Sequence, residues 1–223
     1  MHLAQYKIFK LSKSNMDSSH QPVLKFPHMK DDIELVHGLL CILLAAIFFQ
    51  IINLALRTRC PRGVVLKDGE WRWRNVYVSW LHSTLSTIWT LSCVLLYPEM
   101  LEDLFSHVNY VTYFCVCFST GYFTYDLYDI VSGPALSGNL EVVVHHLVVC
   151  GVFYFDVFLK SGIGLNTQIL WVELNSVFLH WRKMLHMTSH MTSELKTSRM
   201  YLAIKYLNLF TFVVFRYVPV MVW

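Results

Sequence analysis

Six side chains that can exchange protons lie in two short runs, each inside an apolar segment of this sequence. They are Tyr122, Asp126 and Asp129 in the first run, and Glu141, His145 and His146 in the second. On an α-helix the first three share one face, because they are four and three residues apart. Glu141 and His145 also share a face, whereas His146 is turned about 100° around the helix. A histidine hydrogen-bonded to a carboxylate can deprotonate an attacking hydroxyl or amine, and histidine can itself carry an acyl group.

The apolar surroundings make these charged groups costly. A charged side chain at the centre of a bilayer costs about 2.5–3.5 kcal/mol, so such groups usually face the interior of a helix bundle or a water-filled cavity. One interpretation is therefore a functional site inside a bundle. The alternative is structural, because paired polar groups on neighbouring helices also hold the helices in register.

The composition is typical of an integral membrane protein. Hydrophobic residues make up 55% of the 223 residues and charged residues only 15%, with a mean hydropathy of +0.44. The net charge of +3 is too small to indicate a surface that binds nucleic acid, so no nucleic-acid partner is expected.

Motifs of common cofactor and hydrolase sites are missing from the sequence. It contains no P-loop, dinucleotide fingerprint or nucleophile elbow, and adjacent histidines cannot turn both rings to one face. His186 and His190 have metal-ligand spacing but lie in a polar linker, so neither a cofactor nor a metal is expected.

Segments of helical length predict an all-α, polytopic membrane bundle of about six transmembrane helices. The predicted spans are residues 35–56, 76–97, 108–131, 140–159, 165–181 and 199–223. Residues 1–34 are expected to form a flexible segment that precedes one transmembrane domain over 35–223. A weak amphipathic helix over residues 3–11 is the alternative for that segment.

Basic residues set the expected orientation of the bundle. Six of them lie in the connection over 57–75, which Pro61, Gly63 and Gly69 should keep from being helical. Four more lie between residues 182 and 199, whereas only three lie beside the opposite ends of the spans. The positive-inside rule therefore predicts that both basic connections are cytosolic and that the N-terminus is outside.

This orientation places most of the ionisable groups at one depth. The groups within roughly 10 Å of the cytosolic face are Asp126, Asp129, Glu141, His145, His146 and Lys205. Glu173 is expected about 13 Å from the same face. Arg216 is expected near the opposite interface with its side chain reaching towards water. His82 is expected to be a hydrogen-bonded packing histidine.

Five short motifs follow one another from residue 121 onwards. They are Gly121-Tyr-Phe-x-x-Asp126-x-x-Asp129-Ile-Val, Glu141-x-x-x-His145-His146, Glu173-x-Asn175-x-x-Phe178-Leu179-x-x-Arg182, Lys205-Tyr-x-Asn208-Leu and Phe215-Arg216-x-x-Pro219. In this order they resemble the TLC domain, which ceramide synthases and translocon-associated proteins share. Three further motifs lie upstream: Arg72-Trp-Arg74-Asn75, His82-Ser83 and Pro98-Glu99-Met100. These are most similar to the subgroup of TLC domain-containing proteins 1 and 2.

The resemblance implies a helix bundle around an elongated cavity that accommodates lipid. Ceramide synthases place paired histidines and two aspartates in that cavity for acyl transfer from acyl-CoA. The matching positions here, which are the catalytic candidates, are His145, His146, Asp126 and Asp129. Other polar residues of the motifs are candidates for lipid binding: Tyr122, Glu141, Glu173, Asn175, Lys205 and Asn208.

The subgroup resemblance implies a role in lipid homeostasis. It implies a plasma-membrane protein, with the endoplasmic reticulum as the alternative, that limits polyunsaturated chains in phospholipids and so restrains membrane fluidity. Its partners would be membrane phospholipids. A ceramide-synthase-like acyltransferase using acyl-CoA is an alternative, although the fuller ceramide-synthase motif after the histidines is missing. A non-catalytic membrane scaffold is a second alternative, and whether the protein catalyses a reaction stays open at this point.

The asymmetry of basic residues predicts which loops an external reagent reaches. Epitope tags inserted at residue 65 or at residue 190 should stay inaccessible to antibody outside intact cells, whereas a tag at residue 102 should be labelled. Permeabilised cells control for the presence of each tagged protein. External labelling at residue 65 would show that the orientation is the reverse of the predicted one. The ionisable groups would then not lie near the cytosolic face.

Overall fold

The structure, a computed structural model, describes residues 32–59, 69–134, 136–187 and 198–217. Within these ranges the secondary structure is helical and contains no strand, so the all-α prediction is confirmed. The α-helices are α1 Leu35–Ala55, α2 Gly69–Leu96, α3 Tyr110–Ser132, α4 Leu140–Leu159, α5 Ile163–Ile169, α6 Glu173–Met187 and α7 Arg199–Phe212. Short 3-10 turns occupy Leu56–Thr58, Pro98–Leu101, Leu136–Gly138 and Leu170–Val172, and α7 continues as a π-helix over Val213–Tyr217.

Helices occur at all six places where the sequence predicts them. Two segments, Leu35–Thr58 and Leu140–Leu159, are long and apolar enough to cross a membrane by length and composition alone, with mean hydropathies of 2.6 and 2.0. The other helices carry more polar side chains, and the bundle buries many of these. In α2, for example, the buried residues include Ser79, His82 and Ser83.

The start of α2 differs from the prediction. The sequence predicts an irregular connection up to residue 75, whereas α2 begins at Gly69, about two turns earlier. The expectation that Gly69 interrupts the helix is wrong, because a glycine at the first position of a helix does not have to pack inside it. Arg74 and Asn75 therefore lie on a helix face that points at neighbouring helices.

The fifth predicted span is also interrupted. α5 ends at Ile169 and α6 begins at Glu173, with a 3-10 turn between them. Tight turns of this kind inside a longer helical segment often mark a functional hinge. Four predicted features lie outside the described residues, namely most of the N-terminal segment, the connection around Pro61 and Gly63, His190 and the end of the last span.

Glycines let α1 and α3 pack closely. A Cβ atom on Gly121 would lie 2.6 Å from the Cβ of Ala45 and would collide with the carbonyl oxygen of Ile42. A Cβ atom on Gly38 would lie 2.9 Å from ring atoms of Tyr113. Small residues at a helix interface allow backbones to approach in this way, and the close packing then supplies much of the attraction between membrane helices.

The centre of the bundle is an aromatic cluster around Phe49, whose side chain is fully buried. The Phe49 ring lies 5.1 Å from the Tyr122 ring and 5.3 Å from the Phe118 ring. His82 stacks on Tyr122 with ring centroids 3.8 Å apart and an interplanar angle of 8°. The Nε2 atom of His82 lies 2.8 Å from the Oγ atom of Ser86. The prediction of a hydrogen-bonded packing histidine at His82 is therefore confirmed.

The ends of α3 follow from local sequence. The side chain of Asn109 accepts a hydrogen bond from the Thr112 backbone N–H at 3.0 Å, and the Thr112 hydroxyl accepts one from the Asn109 N–H at 3.3 Å. This reciprocal capping box satisfies two donors that the first turn would otherwise leave unpaired. At the other end, Gly133 and Pro134 follow the helix and prevent its extension. Because the capping box and Pro134 fix the two ends of α3, they also fix the positions of Asp126 and Asp129 along the helix.

The distribution of polarity is that of a protein surrounded by lipid. The exposed side chains of α1 and α4 are largely aliphatic or aromatic, including Leu43, Leu44, Leu147, Val148 and Phe155. Polar side chains such as His82, Ser86 and Thr120 are fully buried. Lipid tails offer no hydrogen bonds, so polar groups gain by facing one another inside the bundle. The interior of the bundle is consequently where chemistry or polar binding can occur.

The close approach of α1 and α3 predicts a sharp response to one methyl group. Gly121→Ala should lower the melting temperature of the purified protein in detergent, because overpacking of this kind costs about 1–3 kcal/mol. Gly151→Ala is the matched control, since a Cβ there meets nothing within 4 Å on another helical glycine. Its melting temperature should equal or exceed that of the wild type. Equal melting temperatures for both variants would show that the α1–α3 contact is not tight.

Candidate functional site

A cavity of about 510 Å³ lies between α2, α3, α4 and α6. Five of the predicted site residues line it: Tyr122, Asp126, His145, His146 and Glu173. Apolar side chains, among them Val76, Phe123 and Ile130, complete the wall. The cavity therefore joins polar groups from four helices to a hydrocarbon lining.

His146 and Asp126 form the central contact of the cavity. The Nε2 atom of His146 lies 3.1 Å from the Oδ2 atom of Asp126, and the two side chains are only 8% and 4% exposed. The other ring nitrogen, Nδ1, lies 2.8 Å from the carbonyl oxygen of Val142, one turn earlier in α4. A carbonyl oxygen can only accept, so Nδ1 carries a hydrogen and donates it.

The protonation of this pair follows from that geometry. With a hydrogen already on Nδ1, the Nε2 atom either carries a second hydrogen against a carboxylate or accepts one from a protonated Asp126. In both cases one exchangeable proton lies between the two side chains, facing the cavity. Such a pair can act as a general acid or base and can also donate to an oxygen of a bound ligand.

Asn75 connects the pair to α1 and α2. Its Nδ2 atom donates to Asp126 Oδ1 at 2.7 Å and to Asp129 Oδ2 at 3.1 Å. Asn53 donates to the other oxygen of Asp129 at 3.1 Å, and the Arg74 Nε donates to Asn53 Oδ1 at 3.1 Å. Two carboxylates three residues apart on one helix face repel each other, and the shared amide offsets that repulsion. A continuous hydrogen-bond chain thus runs through α1, α2, α3 and α4.

Glu173 forms a second buried polar group at the start of α6. The Ser83 hydroxyl donates to Glu173 Oε2 at 2.6 Å, and His82 Nδ1 lies 4.0 Å from the same oxygen. Tyr122, which stacks on His82, lies beside them and lines the same cavity. The 3-10 turn before α6 therefore places a second buried carboxylate in the lining of the same cavity.

A second cavity of about 340 Å³ lies between α6 and α7. Three of the predicted lipid-binding residues, Asn175, Lys205 and Asn208, line it. The Asn175 amide donates towards the Asn208 carbonyl oxygen at 2.9 Å and lies 3.1 Å from the hydroxyl of Thr211. The predicted residues thus divide between two adjacent cavities instead of sharing one.

Two predicted residues line neither cavity, and a third lines the first cavity from an exposed position. His145 lines the first cavity but is exposed, and its ring meets that of His146 edge-on at 5.6 Å. Glu141 is exposed in the first turn of α4 and lines neither cavity. Asp129 is buried and contacts the first cavity only through Asn75. Of the two adjacent histidines, His146 is therefore the one that contacts an acid.

Arg216 is the clearest correction to the sequence prediction. It was expected to reach water at the opposite interface, but it lines both cavities, and its Nη2 atom donates to the Ser176 hydroxyl at 3.0 Å. The expectation is wrong because depth along α7 does not determine where a long side chain points. A polar cavity beside the helix offers hydrogen bonds closer than the membrane surface.

Sequence reasoning also missed Asn53 and Asn75 as parts of the site. Asn53 is 4% exposed within a largely apolar helix. An amide in such a segment needs a polar partner on another helix, and this signal was available from the sequence. Asn75 falls within the connection that the sequence predicts to be irregular, and an irregular segment does not indicate that this side chain meets the two aspartates. Within the described residues, no group of three or more His, Cys, Asp or Glu side chains could hold a metal ion.

Comparison with known sequences identifies similar proteins. A profile of the TLC domain matches residues 72–223. The chain is 34% identical to TLC domain-containing protein 2 of Danio rerio over 169 residues, or 76% of this chain. It is 35% identical to TLC domain-containing protein 1 of Homo sapiens over 189 residues, or 83% of this chain. Against TLC domain-containing protein 1 of Rattus norvegicus, the identity is 36% over 149 residues, or 67% of this chain.

These matches confirm the resemblance that the motifs predict. The matched part amounts to 66%, 74% and 58% of the lengths of the three relatives, so the chain spans about two thirds of them. No solved structure matches the chain.

The network around Asn75 predicts a measurable coupling between side chains. Asn75→Leu removes two hydrogen bonds to carboxylates, each worth about 1.5–3 kcal/mol, and should lower the melting temperature in detergent by several degrees. Adding Asp129→Asn should recover part of the lost stability, because it removes one of the two negative charges that repel each other. A coupling of about 0.5–3 kcal/mol between the substitutions is expected. Strictly additive effects would show that Asn75 does not bridge the two acids.

Proposed function

This chain belongs to the TLC domain family of membrane proteins, and on that premise we propose that it regulates the acyl composition of membrane phospholipids. In this proposal the protein limits the share of polyunsaturated chains. Cis double bonds prevent close parallel contact between neighbouring chains, so dispersion attraction falls and the bilayer becomes more fluid. The protein would therefore restrain membrane fluidity.

The first cavity is the observation that supports this proposal best. Its wall combines the buried His146–Asp126 pair with apolar side chains such as Val76 and Phe123. A lipid has the same two parts, a polar end that needs hydrogen bonds and a hydrocarbon chain that does not. The cavity volume of about 510 Å³ also falls in the usual range for ligand pockets, roughly 300–1,000 Å³. A protein that selects lipid chains needs such a compartment.

The proposed location is the plasma membrane, with the N-terminus outside. The basic residues around the first and fifth connections support this orientation, because cytosolic loops carry an excess of lysine and arginine. In that arrangement the His146–Asp126 pair lies towards the cytosolic leaflet. Residence in the endoplasmic reticulum would keep the same orientation, with the N-terminus in the lumen.

The His146–Asp126 contact also favours a second candidate function, acyl transfer from acyl-CoA. In this reaction the His146–Asp126 pair would take the proton of an attacking hydroxyl or amine at a carboxylate oxygen of Asp126, because both ring nitrogens of His146 already have partners, while a new ester or amide bond forms at the thioester carbonyl. The carbon–sulfur bond would then break, and the pair would return the proton to the leaving thiolate. His146 would orient the carboxyl group of Asp126 and share its proton.

Lipid analysis of cells lacking the protein tests the proposal. We expect a larger share of polyunsaturated chains in membrane phospholipids and lower membrane order after exposure to saturated fatty acid, measured with a solvatochromic probe. Unchanged phospholipids together with depleted ceramides would refute this proposal and favour acyl transfer. No lipid change at all would favour a scaffold.

Re-expression of variants in these cells tests the site. Asp126→Asn and His146→Ala should fail to restore the lipid composition even in cells that carry as much of the variant in the membrane as of the wild type. Glu70→Gln, which changes an exposed acid in the first turn of α2, is the matched control and should restore it. A purely structural pair predicts restoration at matched abundance, because the loss of one buried partner costs about 3–5 kcal/mol and then acts only by lowering abundance. Full restoration by either site variant would contradict the proposed site.

A further inference from the structure

We propose that Arg182 and Arg216 form a phosphate-binding wall between the two cavities. This inference rests on the proposed function for its biological ligand, which would be the phosphate group of a phospholipid headgroup. A soluble phosphate presents the same chemistry, and the experiment below separates the two sources. The wall is not part of the His146–Asp126 pair.

The two arginines occupy a shared position. Arg182 lies near the end of α6 and Arg216 in the π-helical continuation of α7, and both line the first and the second cavity. Lys183 of α6 and Arg72 of α2 add two further cations to the first cavity, and Lys205 adds one to the second. Four of these five cations lie on α6, on α7 or in its π-helical continuation.

These cations form no ion pair with a carboxylate. Within the part of the chain that the structure describes, none of the ion pairs includes Arg182, Arg216 or the other cations that line the two cavities. The two acids that line the first cavity already have other partners, since Asp126 contacts His146 and Glu173 accepts from Ser83. The lining of the second cavity includes no acid at all among the described residues. An anion from outside the protein would supply the missing charge.

Arg216 provides a second, independent indication. Its Nη2 atom donates to Ser176, but its Nε atom is buried and has no hydrogen-bond partner among the described residues. A buried N–H without an acceptor is destabilising, so the position gains when an acceptor oxygen occupies the cavity. A guanidinium donates through a planar fork of N–H groups that matches the oxygens of a phosphate.

The neighbouring side chains favour a lipid as the carrier of that phosphate. Leu179, Leu209 and Phe212 line the second cavity beside the arginines. Leu209 and Phe212 are also exposed on α7, as expected of a helix surface in contact with acyl chains. An acyl chain can therefore lie along α7 while its phosphate meets the arginine wall. A soluble phosphate would gain only the charged contacts.

Binding to the purified full-length protein in detergent tests the inference. The probes are dioleoylphosphatidylglycerol, dioleoylglycerol and inorganic phosphate, each followed by quenching of intrinsic tryptophan fluorescence. We expect saturable binding of the phospholipid that weakens with increasing salt, and no comparable binding of dioleoylglycerol, which has the same chains without the phosphate. Binding of inorganic phosphate as tight as that of the phospholipid would support the anion site and assign it to a soluble ligand. Equal binding of dioleoylglycerol would overturn the inference.

Variants identify the wall. The double substitution Arg182→Gln, Arg216→Gln should weaken phospholipid binding about tenfold or more, because each lost charged hydrogen bond corresponds to about a tenfold change or more. Arg57→Gln, Arg59→Gln is the matched control, since both arginines are exposed after α1 and line neither cavity. Arg216→Lys, which keeps the charge but loses the fork, should give an intermediate affinity and tests the wall if the double variant does not fold. Unchanged affinity in the folded variants would refute the site.

The outcome is separable from that of the proposed function. Phosphate-dependent binding in vitro, together with an unaltered lipid composition in cells lacking the protein, would refute the proposed function and leave the anion site standing. An altered lipid composition without phosphate-dependent binding would refute the anion site alone.

Discussion

The hydrogen bonds of Asn75 are the interaction on which the arrangement of the bundle depends. One amide group donates to two carboxylates on α3, and each carboxylate then contacts another helix. Through Asp126 the connection reaches His146 on α4, and through Asp129 it reaches Asn53 on α1. In a hydrocarbon environment these groups have no water to satisfy them, so the four helices are held by the same polar contacts that form the cavity wall. Structure and candidate chemistry therefore share residues.

The polar interior of the bundle carries both acidic and basic groups. On α3, Asp126 accepts from the Asn75 amide and contacts His146, and at the start of α6 Glu173 accepts from the Ser83 hydroxyl. Arg182 on α6 and Arg216 in the continuation of α7 form no ion pair with an acid among the described residues. Charges in a cavity with a low dielectric constant produce a field that orients a ligand with a polar end.

The sequence alone predicts the positions of the helices and part of the candidate site. Hydropathy locates all six helical segments, and the spacing of Asp126 and Asp129 places both acids on one buried face. The sequence does not predict that Asn75 belongs to the site, because the start of α2 depends on packing against α1 and α3 rather than on local helix breakers. It also misplaced Arg216, because distance along a helix axis gives the depth of a backbone and not the direction of a long side chain.

The close contact at Gly121 has a mechanical consequence. With no side chain between the two backbones, α1 and α3 have no room to slide or tilt against each other without collision. The α6–α7 side is built differently, with a 3-10 turn at Leu170–Val172 and a π-helical segment after α7. Widening of the cavities to admit or release a bulky molecule would therefore come from α6 and α7, while the opposite half of the bundle acts as a rigid frame.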